Sequence, residues 1–311
     1  MTFSEQTDIF FNDQLREWDL ANVNYRQLEN VKTRPVEFDG YEVLVQFNPA
    51  RITSTAAKVD ARSIEKRPCF LCSENRPSSQ RGLTFEPGMT LLVNPFPIFR
   101  KHLTIVADRH IDQRISGNFG TMLSLARELP DYQVFYNGPQ CGASAPDHFH
   151  FQAGNKGFLP IERDFSDGKK CRLHASARGI ELWTWQNYGR ELFTLTGSNP
   201  ENIISAFDRF YSEFYRIQSD KPEPMLNILT SYANERWIVH FFPRKVHRPA
   251  QFFIEGHGKI LLSPASVDLG GVVITPREED YEKITAGDLA DIFRQVSVEN
   301  SELIPMVKDI L

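Results

Sequence analysis

The stretch from Tyr136 to Gln152, Y-N-G-P-Q-C-G-A-S-A-P-D-H-F-H-F-Q, constrains the fold more than any other part of the chain. Its last six residues, Asp147 to Gln152, alternate polar and aromatic side chains. A period of two marks a strand with one buried face. The pattern predicts His148, His150 and Gln152 on one side, with Phe149 and Phe151 on the apolar side. Side chains two apart on a strand stand roughly 6.5–7 Å apart, within reach of one bound group. The residues before it include Gly138, Pro139, Gly142, Ala143, Ser144 and Pro146, all small or turn-forming. Backbone N–H groups in such a loop can approach an anion closely. The plainer reading of His-x-His is a pair of polar-face or hydrogen-bonded core histidines. The small-residue loop and a distant cysteine pair both weigh against it.

The rest of the chain mixes helical and strand periods, which predicts an α+β protein. Ser4 to about Val31 reads as a helix capped by Ser4, and Arg51 to Arg67 as a basic loop. Strands are expected at Tyr41–Phe47, Met89–Asn94, His102–Ala107 and Tyr132–Asn137. Further ones are expected at Glu181–Trp185, Leu192–Leu195 and Leu269–Thr275. Met225–Ser231 and Trp237–Phe242 should form a hairpin. Helices are expected near Asn118–Leu129, Pro200–Gln218, Glu278–Val296 and Ser301–Leu311. The apolar stripe Ile203, Ile204, Phe207, Phe210, Tyr211 and Phe214 reads as core, and Pro200 suits a first helical turn. Leu103–Ile115 and Val272–Ile284 echo one another, as do the strands carrying His150 and His240. This suggests two related β-rich halves in permuted order.

Cys69 and Cys72 form a Cys-x-x-Cys, which brings two thiolates to one point and is a common half-site for tetrahedral zinc. A redox pair normally opens a helix after a strand, whereas this motif leads into Ser-Glu-Asn-Arg-Pro-Ser-Ser, a loop. Two unrelated cysteines are the third reading, and zinc needs two more ligands. With four cysteines in 311 residues there is no disulfide scaffold, and a reducing cytoplasm is expected. Cys141 and Cys171 have no expected role. A net charge of −5 gives no electrostatic footprint for nucleic acid. No apolar run has the length of a membrane span, and Met1–Glu5 does not resemble the start of a signal peptide.

These residues resemble the histidine-triad superfamily, and within it the transferase and phosphorylase branch, which carries His-x-His-x-Gln. That branch includes the galactose-1-phosphate uridylyltransferases, the diadenosine tetraphosphate phosphorylases and the GDP-L-galactose phosphorylases. Asn94–Ile98, His102–Val106 and Gln113–Ile115 are similar to the strand pair of the GDP-hexose phosphorylases. Gly142–Ser144 and Asp147–Ala153 are similar to their active-site strand. Arg236–Pro243 and Asp268–Ile284 are similar to their C-terminal half. The cysteine pair resembles the uridylyltransferases instead.

The resemblance implies a histidine-triad-like antiparallel sheet, duplicated, with helices packed outside. Residues 1–165 would form an N-terminal half with the zinc and His-x-His-x-Gln. Residues 166–311 would complete the sheet and the substrate cleft. It implies His150 as a nucleophile that attacks an α-phosphorus to give a nucleotidyl-histidine. It implies a structural zinc on Cys69, Cys72, His110 and His148. It also implies substrate contacts from Asn94, Asn137, Gly142 and Ser144. Basic candidates for phosphate are Arg51, Arg67 and the Arg244–Arg248 run, notably Lys245.

The expected partners are a nucleotide or nucleotide sugar and a phosphate or sugar phosphate, and the relatives often form homodimers. The chemistry is consistent: a neutral imidazole is a good nucleophile near neutral pH. Gln152 can donate an amide N–H to a phosphoryl oxygen as charge develops. Two other readings remain open. One is a zinc-stabilised nucleotide-binding protein without catalysis. The other is a cupin-type metal oxygenase, which wants a nearby glutamate; the nearest downstream is Glu162.

Overall fold

The computed structural model describes residues 1–56, 61–308 and 310–311. Ten strands form one antiparallel sheet: β3 (Leu83–Glu86), β4 (Met89–Val93), β5 (His102–Ala107), β6 (Tyr132–Asn137), β7 (His150–Asn155), β8 (Cys171–Ala177), β9 (Ile180–Trp185), β10 (Phe193–Gly197), β11 (Leu226–Ala233) and β12 (Arg236–Pro243). Before them come β1 (Lys32–Phe38) and β2 (Tyr41–Phe47), which join β13 (Val272–Thr275) in a separate three-stranded sheet.

The order across the large sheet is β3-β4-β5-β7-β6-β11-β12-β10-β9-β8. It reads the same from either edge: three strands in sequence, then a hairpin entered in reverse. A helix stands between the third and fourth strands of each set, Phe119–Glu128 in the first and Pro200–Ile217 in the second. The two β-rich halves are therefore repeated in the same order, not permuted. The echo of Leu103–Ile115 in Val272–Ile284 does not survive, because β13 lies in the small sheet, parallel to β2.

Register fixes which residues correspond. Thr104 pairs with Gln152 and Thr194 with His240. Phe135 pairs with Gln152 and Leu229 with His240. His240 thus stands where the first half has Gln152, and Ile238 where it has His150.

Alternation along the strands builds two cores. Leu103, Ile105, Phe149, Phe151, Phe193, Val239 and Phe241 face the helices 119–128 and 200–217 in one layer. On the opposite face the small sheet and the helix Ala286–Val296 cover the second half, packing Val43, Val45, Val273, Leu289 and Phe293 with Trp185, Leu229 and Phe242. Beyond that cover, the first half carries His150 and Gln152.

Several local expectations change. The N-terminal helix breaks at Trp18 into Phe3–Glu17 and Asp19–Leu28, and its cap is Thr2, reciprocated by Glu5. The segment read as loop contains short helical turns at Pro49–Arg51, Ile52–Thr55 and Ala61–Glu65, and its residues 57–60 lie outside the described residues. Among the described residues no helix is long and apolar enough to cross a membrane.

Candidate active site and metal centre

The strand carrying the histidines starts later than its alternation suggests, at His150 rather than Asp147. On one side it pairs with β5 as far as Val106 opposite His150. On the other, pairing with β6 stops at Phe135 opposite Gln152. The gap is filled by the side chain of Gln113, which is fully buried. Its Oε1 accepts the His150 N–H at 2.7 Å, and its Nε2 donates to the carbonyls of His150 and Asn137 at 3.0 Å each. The amide acts as a wedge that holds β6 and β7 apart at His150. Replacing Gln113 with leucine should leave these buried backbone groups unpaired, at about 1–3 kcal/mol each. We expect urea unfolding to show at least about 2 kcal/mol lost; a loss below about 0.5 kcal/mol would mean that the two strands simply re-pair.

The His150 ring is pinned by its own neighbour. Nδ1 lies 2.8 Å from the His148 carbonyl oxygen, an acceptor, so Nδ1 carries the proton and Nε2 is left with a bare lone pair. The residue is only 4% exposed, yet Nε2 has no partner among the described residues and is not sealed from solvent. Burial pushes the imidazole down to about 4, so it is neutral near pH 7. Two positions on, Gln152 shares that face. Its Oε1 is 3.0 Å from His102 Nε2, and its own amide nitrogen has no partner and is likewise unsealed.

His148 does not share the strand face with His150; it sits in the preceding turn and faces a metal-like cluster. Its Nε2–H donates to the Ala107 carbonyl at 2.8 Å, leaving Nδ1 3.3 Å from Cys69 Sγ and 3.5 Å from Cys72 Sγ. His110 Nδ1 is 3.2 Å from Cys72 Sγ. The four ligand atoms of Cys69, Cys72, His110 and His148 lie within 4.8 Å of one another. Zinc bonds of about 2.3 Å to sulfur and 2.0–2.1 Å to nitrogen, at tetrahedral angles, require S···N separations of about 3.6 Å. The cluster fits such an ion after small shifts. Burial opposes ionisation of Cys69, but hydrogen bonds from His148 and the backbone outweigh it and bring the thiol down to about 7. Asp147 Oδ2 lies 3.8 Å from His110 Nε2, and its Oδ1 accepts from Arg67 at 2.8 Å.

The expected substrate contacts divide. Asn94 lies beside the His150 face, donating to Thr104 Oγ1 at 3.0 Å and accepting the Phe96 N–H at 3.0 Å. Arg51 donates to the Phe96 carbonyl at 2.9 Å and is close enough for its charge to act on His102. Gly142 has φ +94°, and a Cβ there would come within 2.6 Å of the Ala265 Cβ, so both the backbone conformation and the packing call for glycine. Ser144 is half-buried, with its carbonyl 3.4 Å from Arg67. Asn137 is committed structurally: its Oδ1 accepts from Asn227 and from the Ser266 N–H and hydroxyl, at 2.7–2.9 Å.

Lys245 is not brought to the site. Its ammonium pairs with exposed Glu299 at 3.3 Å. The residue of that run turned inward is Arg244, fully buried and bonded to Asn227 Oδ1 at 2.7 Å and the Pro264 carbonyl at 2.9 Å. His102 and Gln113 were missed as site residues. Each opens a segment that the resemblance picks out, but its role rests on hydrogen bonds to distant residues that no local pattern shows.

The second half has no counterpart. His240 is buried, its Nδ1 hydrogen-bonds Thr194 at 2.7 Å, and Phe165 and Trp185 wall its ring. What sets it apart from His150 is its enclosure by aromatic rings, while its Nε2 likewise has no partner among the described residues.

Residues 10–155 match a family model described as a domain of unknown function (DUF4922), and residues 166–311 one described as GDPGP1-like, C-terminal domain. A comparison with curated protein sequences finds no match. Among solved structures, yeast Ap4A phosphorylase Apa2 in complex with Ap4A superposes with TM-score 0.59 at 17% identity, covering 92% of this chain and 97% of that one. Its complex with AMP gives TM-score 0.59 at 17% identity, covering 92% and 96%. A third structure of that enzyme gives 0.55 at 18%, covering 90% and 93%. At this identity the likeness is one of fold, and it extends over nearly the whole of both chains.

Proposed function

We propose that this chain, which shares its fold with yeast Ap4A phosphorylase and whose residues 166–311 match the GDPGP1-like C-terminal model, is a histidine-triad-like nucleotidyltransferase or phosphorylase working through a covalent nucleotidyl-histidine. The donor would be a nucleotide sugar of the GDP-hexose kind or a dinucleoside polyphosphate. One observation carries the reading: burial keeps His150 neutral, and the His148 carbonyl holds its one proton on Nδ1, so the lone pair on Nε2 is free of any partner among the described residues. The likeness to an enzyme solved with Ap4A and with AMP supports a nucleotide donor.

In the first step the Nε2 lone pair attacks the α-phosphorus and an N–P bond forms. The bond from that phosphorus to the bridging oxygen breaks, and its electron pair leaves as a phosphate anion on the sugar phosphate or nucleotide. In the second step an oxygen of inorganic phosphate or a sugar phosphate attacks, the N–P bond breaks, and neutral His150 returns. The leaving group is a stable anion, so little acid help is needed. Gln152 would donate its free amide N–H to the phosphoryl oxygens as charge builds there. Asn94, Arg51 and the Gly142–Ser144 loop would bind the nucleotide. Asn137 would act by bracing that loop.

A structural zinc on Cys69, Cys72, His110 and His148 would supply rigidity, not chemistry. By holding His148 it would fix the carbonyl that orients His150. The halves 1–165 and 166–311 are read as one live and one filled copy, supported by the repeated strand order and by the buried His240. The oxygenase alternative lacks its carboxylate, since Glu162 is engaged by the N–H groups of Gly157 and Leu159.

The test mixes the protein with GDP-hexoses, UDP-hexoses, ADP-glucose and dinucleoside polyphosphates without acceptor and measures intact mass. One donor should add one nucleoside monophosphate, discharged by phosphate or a sugar phosphate. Tight nucleotide binding with no adduct from any donor would favour the non-catalytic binding protein.

A further inference from the structure

His102 is fully buried beneath the face that carries Gln152, and the proposed mechanism gives it no part. Its hydrogen bonds leave no freedom of sense. Nδ1 receives the backbone N–H of Ile98 at 3.2 Å, and a backbone N–H can only donate, so Nδ1 must be the bare nitrogen. The ring's single proton is then on Nε2. The atom it faces, 3.0 Å away on Gln152, must be an acceptor, which is the carboxamide oxygen. This forces the Gln152 NH2 to the other side, where it has no partner and is open to solvent.

The ring cannot slip out of this role. The Tyr25 hydroxyl fixes the backbone that carries the ring: it accepts the His102 backbone N–H at 3.2 Å and donates to the His102 backbone carbonyl at 2.9 Å. The rings of Phe99 and Phe135 flank the imidazole at 5.4 and 5.9 Å.

We infer that His102 is a positioning residue that relays the polarity of the Ile98 amide to Gln152 and holds the Gln152 amide as a hydrogen-bond donor towards the His150 face. A glutamine left to itself can turn its amide over, and then presents an oxygen that repels a phosphoryl oxygen. The inference rests on Gln152 serving the proposed transfer.

Two substitutions separate the relay from mere packing. In His102→Gln the side-chain amide nitrogen falls near the place of Nε2 and can still donate to Gln152. In His102→Asn the side chain stops near the place of Nδ1 and cannot. Removing a pre-set donor to a developing charge costs about 100-fold in kcat, and an undirected one should cost roughly tenfold or more. We expect His102→Asn to lower kcat by roughly that tenfold with KM little changed, and His102→Gln to stay within about threefold of the parent. In a Gln152→Ala background neither should matter further. Equal losses in both variants, or the same loss with and without Gln152, would overturn the relay.

A second readout does not depend on turnover. Nitrogen NMR of the labelled histidine ring, without nucleotide, should show the Nε2–H form of His102 throughout the range of about pH 5 to 8 in which an ordinary histidine titrates. It should also show a Gln152 amide signal that moves in His102→Asn and not in His102→Gln. An Nδ1–H ring, or a charged one, overturns the inference whether or not any donor reacts. The reading of His150 fails separately, by the absence of an adduct in the unaltered protein.

Discussion

Replacing His150 with alanine should abolish nucleotidyl transfer, with kcat down by about 10⁶-fold, the scale on which deletion of a catalytic nucleophile falls. The loss should be in turnover alone. His150 has its backbone held by Gln113, and its side chain makes one hydrogen bond, to the His148 carbonyl. Truncation leaves that carbonyl beside a small hollow that reaches solvent, so the fold and the four-residue cluster should remain. Metal content and nucleotide affinity are expected to match the parent. A metal oxygenase would lose its metal with this residue, and a pure binding protein would have no turnover to lose. Residual transfer within about tenfold of the parent would show that another group attacks phosphorus.

The second large effect concerns the cluster. Cys69→Ser, or prolonged exposure to a strong chelator, should remove an ion that links the 69–72 turn to His110 and His148. At a free metal level a hundredfold above its dissociation constant, binding is worth about 2.7 kcal/mol of stability. With an unfolding entropy of about 2.1 cal/mol/K per residue, and 311 residues, that corresponds to a Tm lower by about 4 °C. Activity should fall as well, because His148 both faces the cluster and presents the carbonyl that sets the His150 tautomer. Loss of such outer supports costs about 10- to 100-fold. Zinc added back should restore both in chelated protein and neither in Cys69→Ser. A chelated protein with unchanged Tm and unchanged rate would leave the cluster as two cysteines and two histidines that merely pack together.

What could be read from the chain beforehand follows from how local each signal is. Strand β7 alternates, and Phe149 and Phe151 lie on the apolar side that this alternation assigns them, whereas β5 and β6 are buried along their whole length. Edge strands were silent: β1, K-T-R-P-V-E-F, and β8, C-R-L-H-A-S-A, are mostly exposed, so no burial imposes a pattern on them. The break at Trp18 is invisible because both flanking helices contribute buried residues to one core. Phe149 is buried like a strand residue although the strand has not begun, which is why the alternation overran its start.

The metal cluster was legible because Cys-x-x-Cys is a local motif and the resemblance supplied its histidines. His102 and Gln113 act through hydrogen bonds to residues 50 and 37 positions away. No window on the sequence contains both ends of such a contact. Lys245 misled for the converse reason: a basic run advertises charge but not direction, and the side chain that turns inward is Arg244.

The most direct test of the central claim is to trap the reaction half-way. The protein is quenched after exposure to its donor without acceptor, digested at alkaline pH, where a phosphoramidate survives, and the peptide bearing the nucleoside monophosphate is sequenced by mass spectrometry. The account predicts the group on His150 and its disappearance on brief acid treatment. The same group on a serine, a lysine or any other histidine, or a donor that turns over with no covalent species at any time, would contradict it.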